Sequence, residues 1–260
     1  MTSFIVPNRI NGLDLCSIQD SIPLDAKRIK DAGFDFVYVK SSQYSQTRDI
    51  RFSSLTDRLS KAGLRVGAYH FCAHDSDPEA QAEFFYKASG GLGKNAGELP
   101  PMVDWEFCTP SKYKNHPLHC VEWLEKFLTK ATQLWYPENH ARRITRLPVV
   151  YSFPDYCNRH QPALGLSGTL SQFPFCLASY RRGRELPGED HQTYHSVPKP
   201  WQRAILTQYS GNDGMPVPGI AGACDRQLFN GSSGEYYDFL GLERPVDLIE
   251  GDVKVDTATL

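Results

Sequence analysis

The stretch L-P-P-M-V-D-W-E-F, residues 99–107, ends a short apolar run with two carboxylates, Asp104 and Glu106. Side chains alternate between the two faces of a strand, so these carboxylates share one face and Trp105 lies on the other. Two like charges at the end of a buried strand raise each other's pKa and are costly without a chemical use. The stretch therefore predicts a strand whose carboxyl end carries a functional site.

Similar short apolar runs recur along the chain, and helical patterns separate the earlier ones. Besides 100–106, strands are predicted over 12–16, 34–40, 64–71, 147–152, 175–180, 204–210 and 223–229. Helices are predicted over 23–32, 50–62, 77–88 and 118–135, with Asp77-Pro78 as an N-terminal signal. Eight strands, the first five joined by helices, indicate an α/β fold, a modified TIM-like (β/α) barrel with about five helices.

Size and composition are those of one large domain. The 260 residues favour a single barrel domain over 5–240, followed by an acidic and polar tail over 241–260 that is docked or disordered. A net charge of −2 gives no electrostatic footprint for nucleic acid. No run approaches the ~18 apolar residues of a membrane span, and residues 1–10 do not resemble a secretory signal. We expect a monomer that is synthesised in the cytoplasm.

Carboxylates also lie in the first and last predicted strands. Asp14 is in the first and Asp225 in the last, and these strands are neighbours in a closed barrel. In a barrel of parallel strands the chemistry lies at the carboxyl ends, so both should meet Asp104 and Glu106 at one mouth. Other strand ends supply further polar and aromatic side chains to the same mouth: Tyr69, Phe71, Tyr151, Tyr180 and Gln208.

Such a mouth suits a sugar polymer, since flat rings stack on sugars and carboxylates accept hydrogen bonds from hydroxyls. Carboxylates this close cannot all ionise independently, so at least one pKa must rise. A carboxylic acid that stays protonated near neutral pH can protonate a glycosidic oxygen. The pair in D-W-E therefore predicts one acid and one anion.

Cysteine and histidine patterns do not indicate a metal or redox site. The seven cysteines are widely spaced without a C-x-x-C pair, which favours buried free thiols made in a reducing compartment. His70 and His74 with Cys72 could suggest a metal, but no further ligand set follows, so core or rim positions are favoured. We expect no metal and no organic cofactor.

Seven motifs, in order, resemble the landmarks of glycoside hydrolase family 25, the N-acetylmuramidases (lysozymes) that cut peptidoglycan. They are G-L-D-L, F-V-Y-V-K-S-S, G-L-R-V-G-A-Y-H-F, L-P-P-M-V-D-W-E, P-V-V-Y-S, L-T-Q-Y-S and C-D-R-Q-L-F-N-G, spread over about 10–231. The resemblance implies a modified TIM barrel and cleavage of the β-1,4 bond from N-acetylmuramic acid to N-acetylglucosamine. It also implies that Glu106 is the general acid, Asp104 its partner, and Asp14 and Asp225 the flanking aspartates.

Two departures from the family pattern concern the groove. Gln43 stands where the family often has a glutamate after the second strand. A glutamine at this position can still form hydrogen bonds, but it lacks the negative charge of a glutamate. The segments 111–116 and 138–146 lengthen the connections around the fourth helix.

The mechanism and setting stay open at this point. Glu106 would donate the proton, followed by attack of an aspartate, of a water, or of the substrate's own acetamido oxygen held by Asp104. With no apparent signal or wall-binding module, we expect a phage-type lytic enzyme that reaches the bacterial cell wall in the periplasm after release or injection. The alternatives are a non-catalytic glycan-binding barrel and a chitinase-like N-acetylglucosaminidase.

Overall fold

A computed structural model describes residues 5–20, 24–74, 76–107, 116–138, 146–180, 195–211 and 216–245. The strands are β1 Asn11–Leu15, β2 Phe36–Gln43, β3 Thr47–Arg48, β4 Arg65–Phe71, β5 Met102–Asp104, β6 Val149–Ser152, β7 Phe175–Ala178, β8 Leu206–Ser210 and β9 Asp225–Phe229. The helices are α1 Ala26–Asp31, α2 Phe52–Lys61, α3 Pro78–Ser89, α4 Pro117–Trp135, α5 Pro154–Arg159, α6 Ala163–Leu166 and α7 Ser233–Phe239.

Eight of these strands close into a barrel. The sheet order is β1-β9-β8-β7-β6-β5-β4-β2-β3, and an additional β1–β2 pairing closes the ring. The two residues of β3 form a hairpin with the end of β2 and lie outside the ring. The predicted α/β barrel is confirmed. The described residues hold seven α-helices where about five were expected, because α5, α6 and α7 are too short to give a clear helical period in the sequence.

The direction of β9 differs from the barrel of parallel strands that the sequence suggested. The other seven strands of the ring run parallel, whereas β9 is antiparallel to both β8 and β1. The described part of the connection before it, 211 and 216–224, contains no helix that could carry a parallel crossover. The start of β9, and not its end, therefore lies at the mouth where the parallel strands end.

Large aromatic side chains fill the lower part of the barrel, and two glycines make room for them. A Cβ atom on Gly12 would lie 2.2 Å from the Phe36 ring, and one on Gly67 would lie 2.8 Å from the Tyr38 ring. From below, Tyr236 of α7 packs on Phe36 with ring centroids 6.2 Å apart. This packing leaves the upper end of the barrel, where the parallel strands finish, as the place for a site.

The outward faces of the strands pack against the helices. His70 of β4 stacks between Phe85 and Phe127, at centroid distances of 5.3 and 5.6 Å, and hydrogen-bonds to Ser42 and Gln81. His70 is therefore a core residue, and burial lowers its pKa to about 4. Of the described cysteines, all except the half-buried Cys16 are buried and none forms a disulfide.

Several sequence predictions fall partly outside the described residues. The predicted tail is described only over 241–245. The lengthened segments 111–116 and 138–146 are described only at 116, 138 and 146. The domain boundaries 5 and 240 and the monomeric state stay predictions. None of the described helices is long and apolar enough to cross a bilayer.

Candidate active site

A pocket of ≈ 220 Å³ opens at the mouth where the parallel strands end. All four predicted carboxylates line it, together with the predicted Tyr69, Phe71, Tyr151 and Gln208. The full lining is Asp14, Lys40, Tyr69, Phe71, Met102, Asp104, Glu106, Tyr151, Gln208, Asp225 and Gln227. We call this the carboxylate pocket.

Strand register explains why these side chains meet. Asp14 of β1 lies opposite Asp225 of β9, and Asp104 of β5 lies opposite both Phe71 of β4 and Tyr151 of β6. Residues opposite each other on paired strands project to the same face of the sheet. The inward-facing residues at this level of the barrel therefore form one layer that becomes the floor of the carboxylate pocket.

Two glutamine amides hold Asp14 in place. Gln208 and Gln227 each donate a side-chain N–H to Asp14 Oδ2, at 2.6 and 2.8 Å. Burial raises the pKa of Asp14, and these hydrogen bonds, with a further one to Asp225, counter part of the rise. A hydrogen bond between two carboxyl groups requires a proton on one of them. Asp225 lies directly opposite Asp14 in the register of β1 and β9.

Gln208 also orients two tyrosines. Its Oε1 accepts hydrogen bonds from the hydroxyl of Tyr151, at 2.8 Å, and from the hydroxyl of Tyr180. Tyr180 follows β7 and is 45% exposed, so its ring extends the mouth beyond the pocket lining. One glutamine thus links the floor of the carboxylate pocket to a half-exposed aromatic surface at its rim.

Asp104 and Glu106 differ in depth. Asp104 is buried, whereas Glu106 is half-buried and lies nearer the solvent. Burial raises the pKa of Asp104 well above its ordinary range, and the negative charge of Glu106 raises it further. Burial and the charge of Asp14 raise the pKa of Glu106. Two carboxyls with coupled, raised pKa values retain a proton at a pH where an exposed carboxyl has lost it.

Neither carboxyl of this pair is held by a hydrogen bond from the described residues. The Oδ1 atom of Asp104 is buried without a donor among them, and no described group hydrogen-bonds to Glu106. A buried polar atom without a partner is costly and is uncommon in folded proteins. These atoms are therefore available to a bound molecule.

Sequence reasoning missed three lining residues, Lys40, Met102 and Gln227. Lys40 is the one cation among the described residues of the pocket lining, and its positive charge lowers the pKa of both Asp104 and Glu106. Alternation from Phe36 and Tyr38 on β2 would have placed Lys40 inside, and alternation from Asp225 on β9 would have placed Gln227 there. The signal was present in the strand pattern, but it was applied only to carboxylates, aromatic residues and Gln208.

Gln43 lies beside the carboxylate pocket and is not part of its lining. Lys40 donates to Gln43 Oε1 at 2.6 Å, and Gln43 lines an adjacent pocket. The register of β2 against β4 shifts between Lys40 and Ser42, which is the signature of a β-bulge. The bulge turns Lys40 and Gln43 to the same side although they are three residues apart.

Trp105 fixes the outer side of the D-W-E stretch. Its indole N–H donates to His74 Nε2 at 2.8 Å, and its ring packs on Tyr156 and His160 at centroid distances of 4.7 and 4.9 Å. The Trp105 backbone N–H also donates to the Tyr151 carbonyl at 2.9 Å. Asp104 and Glu106 therefore flank a residue with a fixed position.

No group of three or more His, Cys, Asp or Glu residues in the described part of the chain is arranged to hold a metal.

Comparison with known proteins agrees with this geometry. The family model of the glycosyl hydrolases family 25 matches residues 13–216, most of the barrel. The chain belongs to glycosyl hydrolase family 25. It is therefore a glycoside hydrolase.

Individual members of family 25 are similar over most of the chain. Lysozyme M1 of Streptomyces globisporus is 29% identical over 228 residues, which cover 86% of this chain and 69% of the relative. The autolytic lysozyme of Clostridium acetobutylicum is 31% identical over 85% of this chain, which spans just over half, 56%, of that relative. The crystal structure of a Streptomyces coelicolor lysozyme superposes with a TM-score of 0.72 at 26% identity, covering 90% of this chain and 98% of that one.

Proposed function

We propose that this family 25 hydrolase is a muramidase that cleaves the β-1,4 bond between N-acetylmuramic acid and N-acetylglucosamine in peptidoglycan. The observation that carries the proposal is that Asp14, Asp104, Glu106 and Asp225 line one pocket of a family 25 barrel. The similarity to proteins named lysozyme, over most of the chain, supports peptidoglycan as the substrate.

Glu106 is proposed as the general acid. It is half-buried at the mouth, its pKa is raised, and no described residue occupies its carboxyl by hydrogen bonding. An acid with a raised pKa keeps its proton to a higher pH than an exposed carboxyl does, and it can deliver that proton to the leaving glycosidic oxygen. The transfer leaves Glu106 negatively charged, and the nearby ammonium of Lys40 favours that charge.

Asp104 is proposed to hold the substrate's acetamido group. Its buried Oδ1 lacks a donor among the described residues, which suits an N–H donated by the substrate. When Glu106 carries the proton, the charge that most disfavours ionised Asp104 is absent, so Asp104 can be the anion. The acetamido oxygen would then attack the anomeric carbon of the same sugar as the glycosidic bond breaks, the substrate-assisted route.

Asp14 and Asp225 are proposed to stabilise the positive charge that develops at the anomeric carbon. Amide donors on Asp14 Oδ2 favour its ionised form, and Asp225 lies opposite it in register. Direct attack by an aspartate and attack by water remain the alternative routes. The anomeric configuration of the first product separates water attack, which inverts it, from the other two routes, which retain it.

The test is an end-group analysis of digested peptidoglycan. Purified wall is incubated with the protein, the soluble fragments are reduced with borohydride, and the reduced sugar is identified by mass spectrometry. A muramidase gives reduced muramic acid. Reduced glucosamine would instead support the chitinase-like N-acetylglucosaminidase, and binding to the wall without new reducing ends would support a glycan-binding barrel.

The biological setting follows from the sequence-based prediction. We propose a phage-type lytic enzyme that acts on the bacterial cell wall after release from the cytoplasm or injection. Lysis of cells that express the protein together with a membrane-permeabilising partner, and no lysis by the protein alone, is the expected result.

A further inference from the structure

A second pocket adjoins the carboxylate pocket and shares Lys40 with it. Its volume is ≈ 310 Å³, and its lining is Cys16, Ser17, Ile18, Lys40, Ser42, Gln43, Thr47, Arg48, Asp49 and Ile50. These residues follow β1 or lie on the end of β2, on β3 and on the turn into α2. The second pocket therefore opens at the same mouth, separated from the carboxylate pocket by the hydrogen-bonded pair Lys40–Gln43.

The lining of the second pocket differs in chemistry from that of the carboxylate pocket. Its described residues include no aromatic ring on which a sugar could stack, whereas Tyr69, Phe71 and Tyr151 line the neighbouring pocket. Its apolar surface is aliphatic, supplied by Ile18 and Ile50, whose side chains are 75% and 91% exposed. The described lining thus offers aliphatic contacts and no ring for stacking, which suits a ligand other than a sugar ring.

The charges of the second pocket favour an anion. Lys40 and Arg48 have no carboxylate partner within ion-pair distance among the described residues, and Arg48 is exposed over the Phe84 ring. Asp49, the one carboxylate among the described residues of this lining, already accepts backbone N–H bonds from Ser17 at 2.9 Å and Arg51 at 3.0 Å. The described lining therefore has two cations without an ion-pair partner and one carboxylate that already accepts two hydrogen bonds.

The hairpin of β2 and β3 holds Arg48 in position. Arg48 pairs with Ser42 and Thr47 with Gln43, and the Asp49 N–H donates to the Ser41 carbonyl at 2.9 Å. At the turn, the Tyr44 ring packs edge-on against Phe71 with centroids 5.8 Å apart. The backbone of Arg48 is thus fixed in the wall of the second pocket, next to Phe71 of the carboxylate pocket, and its exposed guanidinium lies over the Phe84 ring.

We propose that the second pocket binds the acidic peptide attached to muramic acid, with Arg48 as a specificity-determining residue. This rests on the proposed muramidase function. The peptide leaves the sugar through its lactyl group, so a muramic acid seated in the carboxylate pocket carries its peptide to a neighbouring surface. Carboxylates of the peptide pair with Arg48 and Lys40, its amides with Gln43, and its aliphatic side chains pack on Ile18 and Ile50.

The test compares glycan strands that carry peptides with the same strands after an amidase has removed them. For Arg48→Gln we expect kcat/KM on peptide-bearing strands to fall about tenfold, as for loss of a charge-assisted hydrogen bond, with the rate on peptide-free strands unchanged. Arg48→Lys keeps the charge and should retain most of the rate. Arg28→Gln, an exposed arginine of α1, is the matched control.

The outcomes separate this inference from the proposed function. If wild-type protein releases no reducing ends from either substrate, the muramidase proposal fails first. If wild-type protein cuts both, but Arg48→Gln changes both rates equally or neither, the peptide pocket is wrong. Thermal unfolding of each variant shows whether an equal loss on both substrates reflects misfolding. If Arg48→Gln is misfolded, the folded Arg48→Lys variant decides. A wild-type ratio of the two rates, on strands with and without peptide, supports the peptide pocket, and a changed ratio contradicts it.

Discussion

Asp14 of the first strand and Asp225 of the last strand lie directly opposite each other across the antiparallel seam that closes the barrel. Two glutamine amides donate hydrogen bonds to Asp14 Oδ2, and they counter part of the rise that burial causes in the pKa of Asp14. The seam thus places two neighbouring carboxyls on the floor of the carboxylate pocket. This pair can balance positive charge that forms above it without donating a proton itself.

Asp225→Asn is expected to lower kcat about tenfold, equivalent to a loss of about 1.4 kcal/mol of transition-state stabilisation. The amide keeps the size of the side chain and removes its charge, so the substrate should still bind with a similar KM. Initial rates on soluble peptidoglycan fragments measure this. An unchanged kcat would remove Asp225 from the catalytic cluster.

Lys40→Met is expected to move the alkaline limb of the pH–rate profile to higher pH. Lys40 lowers the pKa of Glu106, so removing its charge raises that pKa and keeps the acid protonated over a wider range. The profile of kcat/KM between pH 4 and pH 9 measures the limb. Lys126→Met, an exposed lysine of α4, is the control. A limb that stays in place, or moves to lower pH, contradicts the electrostatic role of Lys40.

Asp104→Asn is expected to stabilise the fold at pH 7 while it impairs catalysis. The folded-state pKa of Asp104 is raised, so the folded state binds more protons than the unfolded chain, and stability falls as pH rises above the unfolded pKa of about 3.9. Removing the ionisable group should gain about 1 kcal/mol at pH 7, or about 2–4 °C in Tm for a protein of this size.

The pH dependence of that gain identifies its cause. Thermal unfolding at pH 7 and at pH 3.5 should show the gain at the higher pH and lose most of it at the lower one, where wild-type Asp104 is protonated in both states. The exposed Glu122→Gln on α4 should change neither value by much. A gain of equal size at both pH values would point to packing and not to ionisation.

Trp105→Phe is expected to lower kcat and to cost about 1–3 kcal/mol of stability. The ring contacts with Tyr156 and His160 can persist, but the buried acceptor His74 Nε2 loses its donor. Trp135→Phe is the matched control, because it also deletes a buried indole donor, here to the Leu92 carbonyl at 2.9 Å, away from the pocket. We expect both variants to lose a similar amount of stability. We expect kcat to fall in Trp105→Phe and to stay unchanged in Trp135→Phe. Equal kcat values for both variants would exclude a positioning role for Trp105.

The sequence predicted the elements of the barrel well, because buried strands and amphipathic helices leave periodic patterns. The boundaries of β4 and of α4, for example, differ by one residue from those predicted. It also placed Asp104 and Glu106 on one face, since strand alternation is local geometry. Short helices such as α6, with four residues, have too few turns to show a period.

Features that depend on strand pairing could not be predicted from the sequence. The direction of β9 depends on how residues 211–224 connect it to β8. The alternating pattern of a strand is the same whichever way the strand runs, so it does not show that β9 is antiparallel. The bulge between Lys40 and Ser42 has no marker in F-V-Y-V-K-S-S, yet it brings Gln43 beside Lys40. Asp225 was placed at the correct mouth although it begins its strand and does not end it.

The most direct test of the central claim is release of reducing ends from purified peptidoglycan by wild type, Glu106→Gln and Glu122→Gln, assayed side by side. Loss of general acid catalysis predicts a fall of about 10²–10⁴-fold for Glu106→Gln. Glu122→Gln, the same change at an exposed position of α4, should match wild type. Circular dichroism and thermal unfolding should show that all three are folded. A folded Glu106→Gln protein that cuts peptidoglycan at the wild-type rate would contradict the assignment of Glu106 as the acid.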